Sequence, residues 1–453
     1  MDKRSFYSTP RGFQVYALAI GLLAFALRYL FSSVAIVDNP IRGDAIQYVN
    51  YAFNLLHHGT FSLAPPGSVA VVPDAYRAPG YPALIALAFW IAAEKWYVLI
   101  LLLQAALGAA TTILSIHLAR RFLAAPASLL VGLLVAFWPH LITIGGYLLS
   151  ESLYGFFVVL SLLLIARAQE RQDRASAIAA GLSAGLAYLV NPVFLLFPVA
   201  AAAMMLVSPA VKRSTAFVFL ATAMLIPVGW GIRDANIPPP PTGNSRAIET
   251  FVIGSWPQWY AAYLLQHVDP GAQQLLDRAN GEKALLNAEF PRGARVVLAR
   301  FGSDPVGYAR WYFIDKPFLL WDWDIRIGQG DIYVYPTSHS PVERVPVLSH
   351  GRDLLRMLNP AIFFFSAGYA LVALWRAVFR PESRASVVVL LALLFCYVTA
   401  LHAVLQAEPR YSIPYRPVEM ILAVGALAAL GQWARGKFGR DRAVAAAPER
   451  DSA

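Results

Sequence analysis

Long, nearly uninterrupted apolar stretches are the feature that most constrains how this chain can fold. Only 14% of its 453 residues are charged and its mean hydropathy is +0.53, so a lipid bilayer is its solvent. Helices satisfy all of their backbone polar groups within one segment, which a lipid environment requires. We therefore predict an all-α polytopic membrane protein with about ten spans, at 13–37, 96–119, 127–145, 151–166, 175–190, 193–207, 214–231, 357–379, 385–405 and 412–434.

The apolar segment 80–94 decides how the chain is oriented in the membrane. If this segment crosses the membrane, every later loop changes sides. We treat it as an interfacial helix and place the N-terminus in the cytoplasm. The short cytoplasmic segments then hold 18 basic residues, and the short external ones hold only Arg42, Arg77, Arg410 and Arg416. This distribution follows the positive-inside rule. It predicts two cytoplasmic termini, and it explains the net charge of +10 without nucleic acid as a partner.

The predicted spans divide the chain into parts. We expect an N-terminal transmembrane module over 1–231, which includes a first external loop at 38–80. An external, mainly helical domain follows over 232–356, with equal numbers of basic and acidic residues. C-terminal transmembrane helices over 357–436 and a disordered cytoplasmic tail over 437–453 complete the chain.

The first external loop contains an amphipathic segment. Between Gly43 and Gly59, apolar and polar residues recur at helical spacing, which predicts a helix lying along the membrane surface. Asp44 opens this segment, and Gln47 follows three residues later in a pattern close to a capping box. Asp44 therefore has two interpretations, as a helix cap or as a catalytic base.

Motifs typical of soluble enzymes, such as phosphate-binding glycine loops and zinc-ligand pairs, do not occur in the sequence. The candidate functional residues are instead polar groups at external helix ends. Carboxylates and cations at one face of a bilayer suit an anionic, membrane-embedded substrate. Helix-terminus charges, interfacial anchors and an aromatic belt are the alternative interpretations. The candidates are Asp44, Arg77, Tyr81, Glu151, Lys316, Arg410 and Tyr411.

Five short motifs, in this order and on one side of the membrane, resemble those of a known family. They are GDAIQYVNYAFNLLHHG after the first span, YRAPGYPALIAL, the SES turn, GLAYLVNP, and RYSIPYRP before the last span. The chain resembles the multi-pass GT-C glycosyltransferases, in the branch with protein O-mannosyltransferases and lipid A aminoarabinose transferases. The resemblance implies a GT-C-like helical bundle with interfacial helices in the first external loop.

The resemblance also implies roles for the acidic residues. A first-loop aspartate, here Asp44, is the expected catalytic base, and a second acidic residue, here Glu151, stands at the next external turn. Many relatives have adjacent acidic residues at the first site, whereas Ala45 follows Asp44 in this chain. Many also have Pro-Pro before Leu-Tyr in the second motif, where this chain has Ala-Pro-Gly-Tyr at 78–81. These departures weaken any assignment of a particular substrate.

Basic residues are expected to hold the lipid phosphate of the donor. By position these are Arg77, Lys316 and Arg410, and Tyr81 and Tyr411 are expected to contact the substrate. The implied partners are a polyprenyl-phosphate-linked sugar, a lipid, glycan or protein acceptor, and membrane lipids. No sequence feature requires a metal or another cofactor, although two carboxylates can hold a divalent cation.

The sequence thus predicts an inverting glycosyltransferase of a bacterial inner membrane, acting on the external, periplasmic face. The polyprenyl phosphate is already a good leaving group, so the enzyme has mainly to orient and deprotonate the acceptor hydroxyl. Two alternatives stay open. One is a transporter or flippase of lipid-linked precursors, and the other is a non-catalytic GT-C-like assembly subunit.

Overall fold

The structure is a computed structural model that describes residues 9–237 and 245–445, with side-chain surroundings as far as residue 435. Nearly all regular structure in these ranges is helical, which confirms the predicted fold class. The strands found there are β1 (Ile36–Val37) and β2 (Thr337–Ser338), which pair antiparallel. They join the start of the first external loop to a segment 300 residues later in the chain.

The α-helices carry chain-order labels throughout. They are α1 (Pro10–Val34), α2 (Asp44–His58), α3 (Gly80–Ala92), α4 (Trp96–Ala119), α5 (Ala125–Phe137), α6 (Pro139–Thr143), α7 (Glu151–Arg171), α8 (Arg174–Val190), α9 (Phe197–Leu206), α10 (Arg213–Ala235), α11 (Arg246–Ser255), α12 (Trp259–Leu265), α13 (Pro270–Ala288), α14 (Phe290–Ser303), α15 (Pro305–Arg310), α16 (Lys316–Leu320), α17 (Pro341–Arg344), α18 (Pro346–Phe379), α19 (Val387–Val404), α20 (Pro409–Ser412) and α21 (Arg416–Ala445).

Each predicted span coincides with a helix, but the count of ten is not confirmed. In the described ranges seven helical segments are long and apolar enough to cross a membrane, and the bent pair α5 and α6 makes up to eight. The predicted spans 175–190 and 193–207 correspond to α8 and α9. The 17 residues of α8 extend about 25 Å, and the 10 residues of α9 about 15 Å. Both are shorter than the roughly 30 Å of a hydrocarbon core.

Helices α3 and α4 form a hairpin rather than one long rod. By length and composition Gly80–Ala119 qualifies as a single span. However, Tyr81 Oη donates to Gln104 Oε1 at 2.9 Å, whereas a continuous helix would separate these residues by about 35 Å. The chain turns at Ala93, which has a φ of +43°. Helix α3 therefore packs back along α4, and its interfacial placement stays a prediction.

Small residues allow close packing at the centre of the N-terminal bundle. Helix α8 buries a face of alanine, glycine and serine against α7 and α10. A Cβ at Gly181 would lie 1.9 Å from Thr222 Oγ1, and Ser183 shares a hydrogen bond of 2.9 Å with Ser161. Close backbone approach through small residues is how helices associate stably in lipid.

Two interruptions shape the end of the bundle that carries the candidate site. Helices α5 and α6 meet at an angle of 59°, where Trp138 is extended and Pro139 begins a new helix. Helix α8 ends at Asn191, because Pro192 follows and cannot continue its hydrogen bonding. The Asn191 side chain instead accepts from Val193 N at 3.1 Å and caps the next turn.

The region between α10 and α18 is helical and has its own small core. Val252, Ala279, Leu286 and Val297 pack together there. Arg300 lies beside this core and donates to both carboxylate oxygens of Glu282 at 2.9 and 2.8 Å. The predicted domain boundaries stay a prediction; α10 continues to Ala235 and α18 already begins at Pro346.

The last helix continues beyond the predicted end of the membrane region. Helix α21 reaches Ala445, so residues 437–445 are helical where the sequence predicts the start of a disordered tail. Lysine, arginine and alanine are good helix formers, which lets the helix continue without an apolar face. The rest of that predicted tail, 446–453, lies outside the described residues.

Candidate active site

Asp44 begins α2 without capping it. Gly43 occupies the N-cap position with a φ of +53°, which favours glycine, and no side chain caps the helix start. The capping-box interpretation is therefore wrong. Gln47 does not bond back to the helix start; its Oε1 accepts a hydrogen bond from Arg77 Nε at 2.5 Å. The Asp44 carboxylate is free to contact arginines.

Arg77, from the loop between α2 and α3, is the first of those arginines. Its Nη2 lies 2.5 Å from Asp44 Oδ1, and its guanidinium carbon lies 5.1 Å from the centre of the Tyr48 ring. The Arg77 side chain is only 6% exposed. Residues of α2 therefore hold this cation on several sides.

Arg410, in α20, joins the two candidate carboxylates. Its Nη2 donates to Asp44 Oδ2 at 3.0 Å, and its Nε donates to Glu151 Oε1 at 2.5 Å. Glu151 is the first residue of α7, and its other oxygen, Oε2, is buried with no hydrogen-bond partner among the described residues. We call Asp44, Arg77, Glu151 and Arg410 the arginine–carboxylate cluster. The fold thus brings together four of the seven residues selected from the sequence.

The charges of the cluster determine the protonation state of Asp44. Burial alone would raise the pKa of this carboxyl. The guanidinium groups of Arg77 and Arg410, with a smaller contribution from Arg246, outweigh that effect and hold the pKa well below its usual range. Asp44 is therefore ionised at every physiological pH and can accept a proton.

A cavity borders the cluster. A small recess of about 60 Å³ is lined by Asp44, Glu151 and Arg410. It adjoins a larger cavity of about 440 Å³, which we call the lipid cavity because much of its lining is apolar. The residues that line both spaces are Asn191, Arg246, His402 and Tyr411. The apolar lining of the lipid cavity includes Val190, Pro192, Val193, Leu195, Leu196, Trp230 and Leu401.

Arg246 is a functional candidate that the sequence analysis missed. It is the first residue of α11, it lines both spaces, and it lies 5.7 Å from the centre of the Tyr76 ring. Among the described residues its guanidinium has no ion-pair or hydrogen-bond partner, in contrast to Arg77 and Arg410. Its local sequence does not distinguish it from the other basic residues of the external region, so only the fold reveals its position.

The three remaining predicted residues lie outside the cluster. Tyr411 lines both spaces, stacks on His402 with 5.4 Å between ring centroids, and donates to Gln406 Oε1 at 3.1 Å. Tyr81 is fully buried and is held by Gln104. Lys316 is also fully buried, and its ammonium donates to the carbonyl oxygen of Leu405. Neither Tyr81 nor Lys316 lines the recess or the lipid cavity.

The donor groups around the cluster do not form a metal site in the described ranges. Within the described residues no three or more His, Cys, Asp or Glu side chains are grouped so that they could hold a metal ion. Asp44 and Glu151 do approach a common point, but the guanidinium of Arg410 occupies it.

The N-terminal part of the chain matches a known family. Residues 18–226 match the family model described as dolichyl-phosphate-mannose-protein mannosyltransferase. This range is a little under half of the chain, and it contains Asp44, Arg77, Tyr81 and Glu151. A comparison with curated protein sequences finds no match.

Solved structures resemble the chain over almost its whole length. The Archaeoglobus fulgidus oligosaccharyltransferase tethered with an acceptor peptide aligns with a TM-score of 0.53 at 15% identity, over 98% of this chain and 52% of that one. The AglB oligosaccharyltransferase of the same organism, in complex with an inhibitory peptide and a dolichol-phosphate, gives 0.51 at 16% identity, over 98% and 53%. ArnT from Cupriavidus metallidurans bound to undecaprenyl phosphate gives 0.43 at 14% identity, over 96% and 64%.

This chain spans about half the length of the oligosaccharyltransferase, and at such low identity the alignments establish the fold alone. Together with the family match over 18–226, they confirm the resemblance seen in the motifs. The N-terminal part of the chain is thus similar to the dolichyl-phosphate-mannose-protein mannosyltransferase family, and the chain as a whole has the fold of the oligosaccharyltransferase.

Proposed function

We propose that this protein transfers a sugar from a polyprenyl-phosphate donor to an acceptor hydroxyl, with inversion at the anomeric carbon and Asp44 as general base. The arginine–carboxylate cluster carries this proposal. Its two carboxylates and two guanidinium groups come from distant segments and meet beside a cavity with apolar walls. Such a site matches a substrate with an anionic head and a hydrocarbon tail.

Arg246 is proposed to receive the phosphate of the donor first. A sugar phosphodiester carries one negative charge. Asp44 and Glu151 already pair with Arg77 and Arg410, so Arg246 supplies positive charge that no described carboxylate compensates. The lipid cavity next to it accommodates the first part of the prenyl chain. AglB, which shares this fold, has been solved with a dolichol-phosphate.

The transfer step follows from the position of Asp44. Each Asp44 oxygen contacts one arginine, which leaves further lone pairs for an acceptor hydroxyl. The acceptor oxygen forms a bond to the anomeric carbon opposite the phosphate. The bond between that carbon and the phosphate oxygen breaks, and the released phosphate keeps the electron pair. The hydroxyl proton passes to Asp44 as the acceptor oxygen becomes positively charged, so a carboxylate of low basicity is sufficient.

Glu151 and the arginines have supporting roles in this proposal. Glu151 orients the guanidinium of Arg410, and its unpartnered Oε2 can accept a hydrogen bond from a sugar or acceptor hydroxyl. Arg77 and Arg410 stabilise the charge that develops on the departing phosphate, for which the guanidinium fork is well suited. Tyr411 lies at the junction of recess and lipid cavity and is proposed to contact the donor.

We propose that transfer requires no metal cofactor, because Arg410 already bridges the two carboxylates. Full activity after treatment with a chelator would support this, and a loss restored by Mg²⁺ or Mn²⁺ would contradict it. We also propose an inner-membrane protein with both termini in the cytoplasm and the cluster on the periplasmic side. Engineered cysteines near 69 and 270, both exposed positions, should then react with an impermeant reagent in intact cells, whereas one near 170 should not.

The central experiment incubates the purified protein with a panel of polyprenyl-phosphate sugars and identifies the one that is consumed. Asp44→Asn should reduce transfer by about 10²–10⁴-fold, since an amide cannot take the proton. Asn keeps one oxygen for an arginine, so the variant should still fold. The matched control is Asp38→Asn, which removes the same charge at an exposed position of the same loop. Wild-type transfer by Asp44→Asn would contradict the assignment of the base.

A further inference from the structure

The connection between α19 and α20, residues 405–408, leads directly into the segment that carries Arg410 and Tyr411. It has no regular secondary structure, so neighbouring groups must fix its conformation. Those neighbours come largely from the external region rather than from the membrane helices.

Two side chains of the external region bind carbonyl groups of the connection. The ammonium of Lys316 donates to Leu405 O, and Tyr260 Oη, from α12, donates to Ala407 O at 2.5 Å. Tyr260 Oη also accepts from Gln406 Nε2 at 3.2 Å. Consecutive residues of the connection are therefore each held by Lys316 or Tyr260.

Glu408 links the connection to both sides. Its Oε1 accepts from the backbone N–H of Arg326, in the external loop after α16, at 2.9 Å. Its Oε2 accepts from the backbone N–H of Arg410 at 2.7 Å. The position of the Arg410 backbone is thus tied to the external region through one buried side chain.

The packing leaves no room for displacement at Leu405. Gly254, at the end of α11, lies so close that an added Cβ would be 2.1 Å from Leu405 O. On the inner side, Gln406 Oε1 accepts from Tyr411 Oη at 3.1 Å. The connection is therefore enclosed between the external helices and the residues that line the active-site recess.

We infer that Lys316 and Tyr260 are positioning residues, which fix the 405–408 connection and through it the guanidinium of Arg410. Lys316 is then not a ligand of the donor phosphate, in contrast to the role implied by the family resemblance. Its ammonium is fully buried and bound to a carbonyl, and it lines neither the recess nor the lipid cavity. The kinetic tests of this inference rest on the proposed function, whereas the hydrogen-exchange test does not.

The kinetic experiment compares Tyr260→Phe and Lys316→Met with wild type in the full-length protein. Loss of the Lys316 hydrogen bond, or of the two made by Tyr260 Oη, should lower kcat about five-fold, with the KM for the polyprenyl-phosphate donor little changed. The control Tyr263→Phe removes a hydroxyl from an exposed tyrosine of the same helix and should leave kcat unchanged. A raised donor KM in Lys316→Met, with Tyr260→Phe at the wild-type rate, would identify Lys316 as a phosphate ligand and overturn the inference.

A double-mutant cycle tests the route through Arg410. In an Arg410→Lys background, Tyr260→Phe should lower kcat less than two-fold further, because both changes act on the same group. A full additional five-fold loss would show that Tyr260 acts independently of Arg410.

Hydrogen exchange gives a readout that does not depend on catalysis. Tyr260→Phe should accelerate amide exchange in residues 405–412, while α4 and α7 exchange as in wild type. Faster local exchange together with an inactive wild-type protein would retain the positioning role and refute the proposed function. Unchanged exchange in 405–412 would refute the positioning role whatever the activity.

Discussion

Two arginines six residues apart, the half-buried Arg410 and the buried Arg416, have different surroundings. Arg410 bridges Asp44 and Glu151 next to a recess. Arg416 is 1% exposed and pairs with Glu419, which is itself fully buried. Arg416 also donates to the carbonyl oxygens of two residues that follow α16, and lies 5.5 Å from the centres of two tryptophan rings.

These two arginines differ in whether a substrate can reach the groups around them. Both stand in the motif RYSIPYRP, and both are paired with carboxylates. The partners of Arg410 border a space that a substrate can enter, whereas no recess described above reaches Arg416. The proposed function therefore needs Arg410, whereas the contacts of Arg416 join the loop after α16 to the last helix.

Of the two arginines, Arg410 should have the larger effect on transfer when it is replaced, here by lysine. Lysine keeps the charge but cannot contact Asp44 and Glu151 with a planar fork, so the stabilisation of the departing phosphate is lost. We expect transfer to fall by about 10²-fold, with near-normal insertion and melting temperature. If Arg410→Lys instead unfolded the protein while each folded molecule kept its activity, Arg410 would serve stability and not transfer.

Arg416→Met should lower stability strongly and leave transfer by the folded protein nearly unchanged. Removing one partner of a buried pair leaves Glu419 uncompensated, at a cost of about 3–5 kcal/mol in the free energy of unfolding. We expect a marked drop in melting temperature and yield, and the remaining folded molecules should transfer sugar at close to the wild-type rate. Thermal denaturation in detergent alongside a transfer assay measures both. Normal stability with lost transfer would show that Arg416 also takes part in catalysis.

Arg246→Ala extends the comparison to an arginine that forms no salt bridge with any carboxylate in the described ranges. Without a salt bridge to break, the change should leave stability near wild type. We expect the KM for the donor to rise about ten-fold, the equivalent of one charge-assisted contact, while kcat changes little. Arg278→Ala, at an exposed site on α13, serves as the control for charge. An unaltered donor KM in Arg246→Ala would exclude this residue from phosphate binding.

Lys316 adds a buried cation that, unlike an arginine, can lose its proton. Burial lowers the pKa of its ammonium from 10.5 to about 7. Between about pH 7 and pH 10 the unfolded chain therefore binds a proton that the folded protein does not, and the folded state gains stability as pH rises. Lys316→Met removes this gain.

The measurement is the melting temperature of Lys316→Met minus that of wild type. This difference should be more positive at pH 7 than at pH 9.5, by a few degrees. Lys283→Met, at a partly exposed lysine 3.7 Å from Glu249, serves as the control for removing a lysine from the same region. A pH-independent difference for Lys316→Met would mean that its ammonium titrates normally.

The four residues of the arginine–carboxylate cluster could be selected from the sequence. Charges at the ends of apolar helices are few, and their order resembles that of a known family. Asp44, Arg77, Glu151 and Arg410 were all found in this way. Local sequence could not show that Tyr81 and Lys316 lie outside the recess, since the side chains of neighbouring residues in a motif need not point the same way. It also could not identify Arg246, whose position depends on how α11 packs over the bundle.

The number of crossings was harder to predict for a related reason. Hydropathy identifies apolar segments, and each predicted segment is a helix. Whether a helix crosses depends on its length after the chain bends, as at Asn191 after α8 and at Ala93 between α3 and α4. Those bends arise from proline and from tertiary contacts, which a hydropathy pattern does not register.

The distance along the chain between the members of the cluster has a consequence for biosynthesis. Asp44 and Arg410 are 366 residues apart, and Glu151 and Arg410 are 259 apart. During translation both carboxylates are made and inserted long before the cation that bridges them exists. In a polypeptide truncated before α20, Asp44 would keep Arg77 as its partner, whereas Glu151 would have lost the cation that pairs with it in the finished protein.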